Sequence, residues 1–402
     1  MKPTPDKDWL EFWWLEPEVT FLNHGAFGAC PKSVLEVQQQ FRQRLEQQPL
    51  RFLAQDLEGL LDGARNALAE FVGADPLDLA FVPNATTGVN TVLRSLHFTP
   101  DDELLTTNHE YNACRNALDF VAARSGAQVV VAEILLPIQS PEQVMEAVIA
   151  KISPKTRLAL LDHVTSQTGL VMPIQRLVHE LNQRGIDTLI DGAHAPGSVP
   201  LNLVAIGATY YTGNCHKWLC APKGAAFLYV QGDRQAQIRP LTISHGANSL
   251  RSDRSRFRLE FDWPGTYDPS AYLSIPAAIQ FMGTLLPGGW PELMAQNQTK
   301  ALAARKILCE VLNVPIPCPD EMIAALAVVP LPDGSYQALQ TALLNQYGIE
   351  VPIVPWPAGQ KRLVRVAAQI YNTLAQYEYL AQALVELLSA EVSEQSIRDS
   401  NI

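Results

Sequence analysis

With 402 residues, 47% of them hydrophobic, the chain has material for a large core, which excludes disorder and makes two domains the expectation. Its 30 basic and 41 acidic residues leave a net charge of -11, which argues against non-specific binding to nucleic acid or to an anionic membrane surface. No apolar run approaches the roughly 18 residues of a membrane span, the N-terminus lacks the apolar core of a signal peptide, and the six scattered cysteines form no CxxC pair, so a cytoplasmic enzyme with reduced thiols is expected.

Residues 33–72 carry apolar positions at helical spacing among Glu, Gln and Arg and are expected to be helical. From about residue 79 the texture changes. Short apolar runs ("LAFV", "ELLTT", "AQVVVAEI", "TRLALLDHV", "DTLIDGA", "GATYYTG") alternate with helical segments, the pattern of an α/β domain whose mostly parallel sheet is covered on both faces. "LLPGGWPEL" marks a boundary that divides the chain into a large domain, 16–284, and a small α+β domain, 285–402, with the segment 1–30 packing near the latter. In the second part a helix to about Leu312 is followed by the turn "NVPIPCPD", the strand "AALAVVP", a helix near 335–347, two short strands and a final helix from "TLAQYEYLAQ".

Ligands of open α/β sheets gather at the carboxyl ends of the strands, so those ends direct the search. After "LAFV" comes "PNATTGVN", which reads either as an ordinary helix N-cap or as a phosphate cradle of N–H groups and hydroxyls. "DTLI" ends in Asp191, a helix cap or a functional carboxylate, followed by His194 in "GAHA". After "GATYYTG" come Asn214, His216 and Lys217, the lysine set between a histidine and a tryptophan ahead of an apolar strand. "TSQTG" and the loop "WPGTYDPSAYL" around Thr266 complete a set that provides a phosphate cradle, a carboxylate for a ring nitrogen, polar donors and a lysine amine.

"DGAHAPG" followed by "GNCHKWLCAPKG" resembles the class V aminotransferase group of fold-type I pyridoxal-phosphate enzymes, which holds cysteine desulfurases, kynureninases and isopenicillin N epimerases. The resemblance runs from "FLNHGAFGACP" to "VRVAAQIYNT", and "FLNHGAFG", "HEYNA" and "HKWLCAPKG" are most similar to the isopenicillin N epimerase-like branch. It implies a fold-type I transferase fold, with a seven-stranded, mostly parallel sheet in the large domain, and pyridoxal 5'-phosphate as cofactor. It also implies roles. Lys217 is similar to the Schiff-base lysine and Asp191 to the carboxylate that keeps the pyridine nitrogen protonated. Ala85, Thr86, Asn214 and His216 match phosphate contacts, and Thr266 matches a residue that reaches the neighbouring subunit's phosphate, which implies a homodimer with shared sites. Tyr111 stands where the family stacks an aromatic ring on the cofactor. Ser166 stands where relatives often have asparagine, and His194 where desulfurases have glutamine. Arg365 matches the clamp for a substrate α-carboxylate, with Asn23 and His24 of "LNHGAFG" beside the substrate. No metal site is implied.

One absence bears on the reaction. Desulfurases carry a mobile cysteine ahead of "R…YNT", and "GIEVPIVPWPAGQKRLVRVAAQIYNT" has none. Cys215, Cys220, Cys309 and Cys318 are expected to be buried small hydrophobes. Lys217 as a base beside Cα leaves three outcomes open: epimerisation of an amino-acid substrate, C–S lyase chemistry on cysteine or cystine, or transamination. The resemblance favours the first, for which Tyr111, or less strongly His24, would be the second acid/base. Arg251, Arg254, Arg256 and Arg258 form either a solvated loop or an entrance that attracts a substrate with a distal carboxylate.

Overall fold

The computed structural model describes Pro3 and residues 6–400, the side chains of residues 7, 8 and 394–400 excepted. Of the two end segments expected from the sequence, residues 1, 2, 4, 5, 401 and 402 therefore lie outside the described residues.

The apolar runs become seven strands of one sheet: β1 (Leu79–Val82), β2 (Glu103–Thr107), β3 (Gln128–Ala132), β4 (Thr156–Asp162), β5 (Asp187–Asp191), β6 (Tyr210–Asn214) and β7 (Ala226–Val230). Their order is β1-β7-β6-β5-β4-β2-β3. β7 runs antiparallel to both of its neighbours and every other pair is parallel. Both faces are covered, so the alternation of side chains sends apolar residues in both directions. Leu158 and Leu160 of β4 and Leu189 of β5 pack with Cys114, Leu118 and Val121 of the helix Asn112–Ser125 on one face. Ala159, Leu161 and Ile190 turn to the other face, among the helices Leu57–Val72 and Ile174–Gln183. The first of these buries Leu57, Leu61, Ala64, Leu68 and Val72, the spacing of one helical stripe.

The helical stretch expected over 33–72 is interrupted. The helix Lys32–Gln47 ends before Pro49, which has no N–H to continue a helical ladder, and a wide turn of π type spans Phe52–Asp56 before Leu57–Val72 begins.

A second, antiparallel sheet is built from β8 (Leu326–Leu331), β9 (Ile353–Pro355) and β10 (Arg362–Ala367) in the order β9-β10-β8. The helices Gly289–Leu312 and Leu374–Ser400 pack against each other beside it. The beginning of the chain joins this part: Thr20–Phe21 pairs in parallel with Ile349–Glu350, and Ala367 N donates to Leu22 O at 2.9 Å. β10 and its Arg365 are thereby tied to the chain that leads into "NHGAFG". Among the described residues no helix is long and apolar enough to cross a membrane.

Candidate active site

Parallel order places the ends of β2, β4, β5 and β6 on one edge of the sheet, and β1 ends there too because it is antiparallel to β7. Sequence-distant residues meet along this edge. Asp191 closes β5, and Gly192 follows because the Tyr211 ring fills the space a Cβ would need. Asp191 accepts from the Ala193 N–H through Oδ1 at 2.9 Å and from the Cys114 thiol through Oδ2 at 3.0 Å. Both oxygens act as acceptors, and each keeps a lone pair for a further donor.

Lys217 sits in a tight turn beyond β6. Cys220 N donates to Lys217 O at 3.1 Å, and Ala221 N to Cys215 O at 2.9 Å. "NHGAFG" grips this turn from outside. Gly28, at φ +69, lies so close that a Cβ there would overlap the His216 carbonyl. The His24 ring bonds Lys217 O through Nε2 at 3.1 Å and Tyr371 OH through Nδ1 at 2.7 Å, and lies against Trp218 with ring centroids 5.0 Å apart. His24 is buried with both ring nitrogens engaged, and burial lowers its pKa to about 3. It therefore holds the lysine turn and offers no acid or base to a substrate.

Trp218 also explains the histidine two turns away. Its indole N–H donates to His194 Nδ1 at 3.4 Å, so the proton of a neutral His194 belongs on Nε2, which lies 2.9 Å from Lys217 Nζ. Burial holds His194 neutral, and its Nε2–H faces the Lys217 nitrogen, which accepts that bond when the amine is uncharged. Burial also lowers the Lys217 pKa from 10.5 to about 8; Asp191 opposes the shift and Arg365 adds to it.

At the end of β1, Asn84 caps the helix Ala85–Ser95 by accepting from Thr87 N at 2.8 Å. The Ala85 N–H is expected from the sequence to face a phosphate. Instead it donates to Asn214 Oδ1 at 2.8 Å, which occupies both the Ala85 donor and the Asn214 oxygen. Thr86 N–H is the first-turn donor that neither Asn84 nor Asn214 takes. His216 Nδ1 lies 3.2 Å from Ala225 O, so Nε2 donates to an anion only when the ring is charged; burial lowers the ring pKa to about 4, and a bound dianion acts in the opposite direction. Thr266 is exposed on a loop whose Pro264 and Tyr267 line, with Thr87 and Lys223, a cavity of about 510 Å³.

Arg365, on β10, is buried and forms no ion pair among the described residues. Its Nη1 donates to the Ser166 carbonyl, while its Nε is buried without an acceptor. Burial lowers its pKa to about 10, with Tyr111 opposing. Arg362 on the same strand is fully engaged, by Glu391 and the carbonyls of Pro332 and Ser335. A buried guanidinium without an acid is costly and marks a place for an anion brought from outside. Tyr111 is exposed at the start of the helix Asn112–Ser125. Asn23 donates through Nδ2 to Glu350 at 3.0 Å, and its Oδ1 is buried without a donor.

The arginine-rich loop is not an open entrance. Arg251 pairs with Glu58 at 2.6 Å, Arg254 with Asp62 at 2.6 Å, Arg256 with Glu260 at 3.1 Å, and Arg258 with Asp62 and Asp262. Glu58 and Asp62 on the helix Leu57–Val72, with Glu260 and Asp262 at the end of the arginine-rich segment itself, take up the positive charge. All six cysteines are free and buried, and burial raises the Cys215 and Cys220 thiols. Neither is poised as a thiolate.

Glu110, Cys114 and Asp162 are not among the candidate residues that the sequence motifs single out. All three are buried around Asp191, and Asp162 closes the apolar run of β4 as Asp191 closes β5. That shared signal could have found Asp162.

An α/β sheet with a lysine, a carboxylate and an unpaired arginine converging at its carboxyl edge defines a cofactor-dependent enzyme of fold type I. The profile of the family Aminotransferase class-V matches residues 20–380, and the chain belongs to that family. It is 37% identical to isopenicillin N epimerase of Amycolatopsis lactamdurans, over 93% of this chain and 96% of that protein. It is 29% identical to a probable chloroplastic L-cysteine desulfhydrase of Arabidopsis thaliana, over 93% and 84% respectively. Among solved structures, a cystine C–S lyase in complex with its product cysteine persulfide superposes with a TM-score of 0.76 at 25% identity, covering 91% of this chain and 97% of that one. A cysteine desulfurase of Thermococcus onnurineus superposes with a TM-score of 0.79 at 19% identity, covering 97% and 100%.

The family's cofactor is pyridoxal phosphate, and the residues present fit it. The open lone pairs of Asp191 suit a ring N–H, the weakly basic Lys217 amine suits a carbonyl, and Thr86 N–H suits a phosphate. The neutral amine is the form that attacks a carbonyl. Capture of pyridoxal phosphate by cofactor-free protein should therefore quicken as pH rises through about 8 and level off above it. Stopped-flow absorbance checks this; a rate flat between about pH 7 and about pH 9 contradicts the environment assigned to Lys217.

Proposed function

We propose that this chain is a pyridoxal-phosphate enzyme that acts at Cα of an amino acid or amino-acid-derived substrate, with isopenicillin N epimerase-like chemistry. The observation that carries the reading is Arg365, a buried guanidinium without an acid on the same side of the molecule as Lys217, whose charge it biases. Pyridoxal phosphate, when bound, draws the electrons of a Cα–H bond toward its ring nitrogen. The chain's own residues do the rest. Lys217 anchors the cofactor and takes or returns the proton at Cα through Nζ. Asp191 holds the ring nitrogen, and Thr86 with His216 holds the phosphate. Asn214 keeps the start of the cradle helix in place, and Ser166 and His194 supply polar contacts near the ring. Arg365 fixes the α-carboxylate, with Asn23 beside the substrate, so that the Cα–H bond stays aligned.

Two-base epimerisation needs an acid/base on the face opposite Lys217. With His24 engaged at both nitrogens, Tyr111 is the candidate left from the two that the sequence offers. That same scarcity favours a second reading, cysteine or cystine C–S lyase chemistry, which needs only Lys217 and a leaving group and which is consistent with the desulfhydrase relatives. Incubation with a panel of amino acids and cystine in heavy water separates the two. An epimerase incorporates one deuterium at Cα, with loss of optical purity and no keto acid. A lyase releases pyruvate, ammonia and a sulfur product. In the first case Tyr111→Phe should lower the rate by about 10²-fold or more, and in the second by less than about threefold. A Phe variant that racemises normally removes Tyr111 as the second base.

We infer further that the chain is a homodimer with shared sites, works in the cytoplasm, and divides into domains 16–284 and 285–402. The exposed Thr266 beside a cavity that Thr87 lines supports the first, and six unpaired cysteines support the second. Sedimentation showing an active monomer at assay concentration would overturn the dimer.

A further inference from the structure

Strand parity builds an unusual neighbourhood behind Asp191. Asp162 and Asp191 are register partners on β4 and β5, and both sit on the face packed by the helix Asn112–Ser125, just before which Glu110 lies. All three acids are buried, and oxygen atoms of Glu110 and Asp191 lie with Cys114 Sγ within 4.8 Å of one another. None of the three acids forms an ion pair with Lys, Arg or His among the described residues. Lys217 is the cation that acts on Asp191 and Asp162 from across the site.

The donors present do not suffice. Cys114 and the Ala193 N–H serve Asp191, while Thr106 Oγ1 reaches Glu110 Oε2 at 3.4 Å and the Tyr111 N–H also serves the Glu110 carboxyl. Glu110 Oε1 and Asp162 Oδ2 are buried with no donor. The Glu110 and Asp162 carboxyls are themselves within hydrogen-bonding reach of each other, an arrangement two carboxylates cannot hold and one shared proton satisfies. Burial and mutual repulsion favour that proton by raising both groups well above the usual carboxylate range.

We propose that Glu110 and Asp162 share one proton as an acid–carboxylate pair, and that its single negative charge makes them positioning residues that help Asp191 keep the cofactor's ring nitrogen protonated. This rests on the reading of the site as a pyridoxal-phosphate site. Two negative charges, on Asp191 and on the pair, then face the ring nitrogen and the nitrogen of Lys217. Two further titratable groups beside these acids are neutral: the Cys114 thiol, and beyond Asp191 the Tyr211 phenol, which lies 2.8 Å from His163 Nδ1.

The charge can be removed without changing shape. Glu110→Gln or Asp162→Asn alone leaves an amide that donates to the remaining carboxylate, so the charge stays and the pair needs no proton. The double variant is neutral. In holoenzyme loaded with ¹⁵N-pyridoxal phosphate, the ring-nitrogen chemical shift of wild type and of both single variants should report a protonated nitrogen across the neutral and mildly alkaline range. The double variant should lose that proton at a pH lower by about one unit or more, and should bind the cofactor about tenfold more weakly. A double variant whose ring nitrogen titrates as in wild type overturns the role assigned to the pair.

The shared proton has its own test in cofactor-free protein, so its failure is separable from failure of the cofactor reading. An infrared difference spectrum of wild type minus Glu110→Gln at neutral pH should contain a protonated-carboxyl stretch that shifts in heavy water. Its absence overturns the pair whether or not the double variant folds.

Discussion

Alanine at position 217 should leave a protein that no longer forms a borohydride-reducible link with pyridoxal phosphate and whose turnover falls by at least about 10³-fold. Two functions leave with one amine. The anchor that holds the cofactor disappears, and so does the base placed at the Cα proton. The fold should survive, because the turn around residue 217 is held by its backbone: His24 bonds Lys217 O, Cys220 N bonds the same carbonyl, and Gly28 packs against the His216 carbonyl. What the substitution does leave exposed is His194, whose Nε2–H loses its partner at 2.9 Å, a cost of about 1–3 kcal/mol if no water replaces the amine. Lys223 is the control. It lies six residues on and donates from its Nζ to Gly28 O at 2.8 Å, a bond that trims the outside of the same turn. Lys223→Ala should keep the link and most of the activity. Peptide mapping after borohydride reduction decides between them, since label on the peptide carrying Lys223 in the wild-type protein would remove Lys217 from the chemistry.

The parts of this site that were legible in the sequence share a property: each is announced within a few residues of itself. Apolar runs such as "LAFV" and "DTLID" declare strands. An acid or a lysine at the end of such a run declares a strand-end group, because burial of its neighbours leaves it nowhere apolar to go. Asp191 and Lys217 were found in that way, and Arg365 through its surrounding motif. What could not be read locally depends on strand order and on which donors meet. Asp162 carries the same local signal as Asp191. Its significance comes from β4 lying between β5 and β2, which brings the turn with Glu110 alongside, and no spacing along the chain encodes that adjacency. The N–H of Ala85 looks free in the sequence and is taken by Asn214, 129 residues away. His24 resembles a site residue in "LNHGAFG", yet its ring is spent on the Lys217 carbonyl and the Tyr371 hydroxyl. The four arginines near residue 254 look like a free positive patch until the helix Leu57–Val72 brings Glu58 and Asp62 to them.

Asn at position 191 should lower turnover by about 10²–10³-fold while leaving the cofactor-free protein as stable as wild type or more stable. The two halves of this expectation have one cause. Asp191 sits in a cluster of buried acids and forms no close ion pair among the described residues, so in the absence of cofactor its carboxylate is repelled by the Glu110–Asp162 pair and is held by the Cys114 thiol, the Ala193 N–H and, from across the site, the charge of Lys217. An amide of the same shape keeps an oxygen for one of those donors and removes the repulsion. Such a site gives up stability in the empty protein for charge where the ring nitrogen binds. Once the cofactor is present the balance reverses. The amide can still accept a hydrogen bond, but it carries no charge to keep the ring nitrogen protonated, and an unprotonated ring withdraws electrons from Cα poorly. Glutamate should not restore function, because one more methylene carries the charge away from the position at which Asp191 meets the Cys114 thiol and the Ala193 N–H. The measurement pairs a thermal melt of cofactor-free protein with steady-state turnover of the loaded enzyme. An Asn variant that turns over at the wild-type rate would sink the role given to Asp191. One that is inactive only because its melting midpoint collapses would show that the carboxylate holds the fold, with the chemistry resting elsewhere.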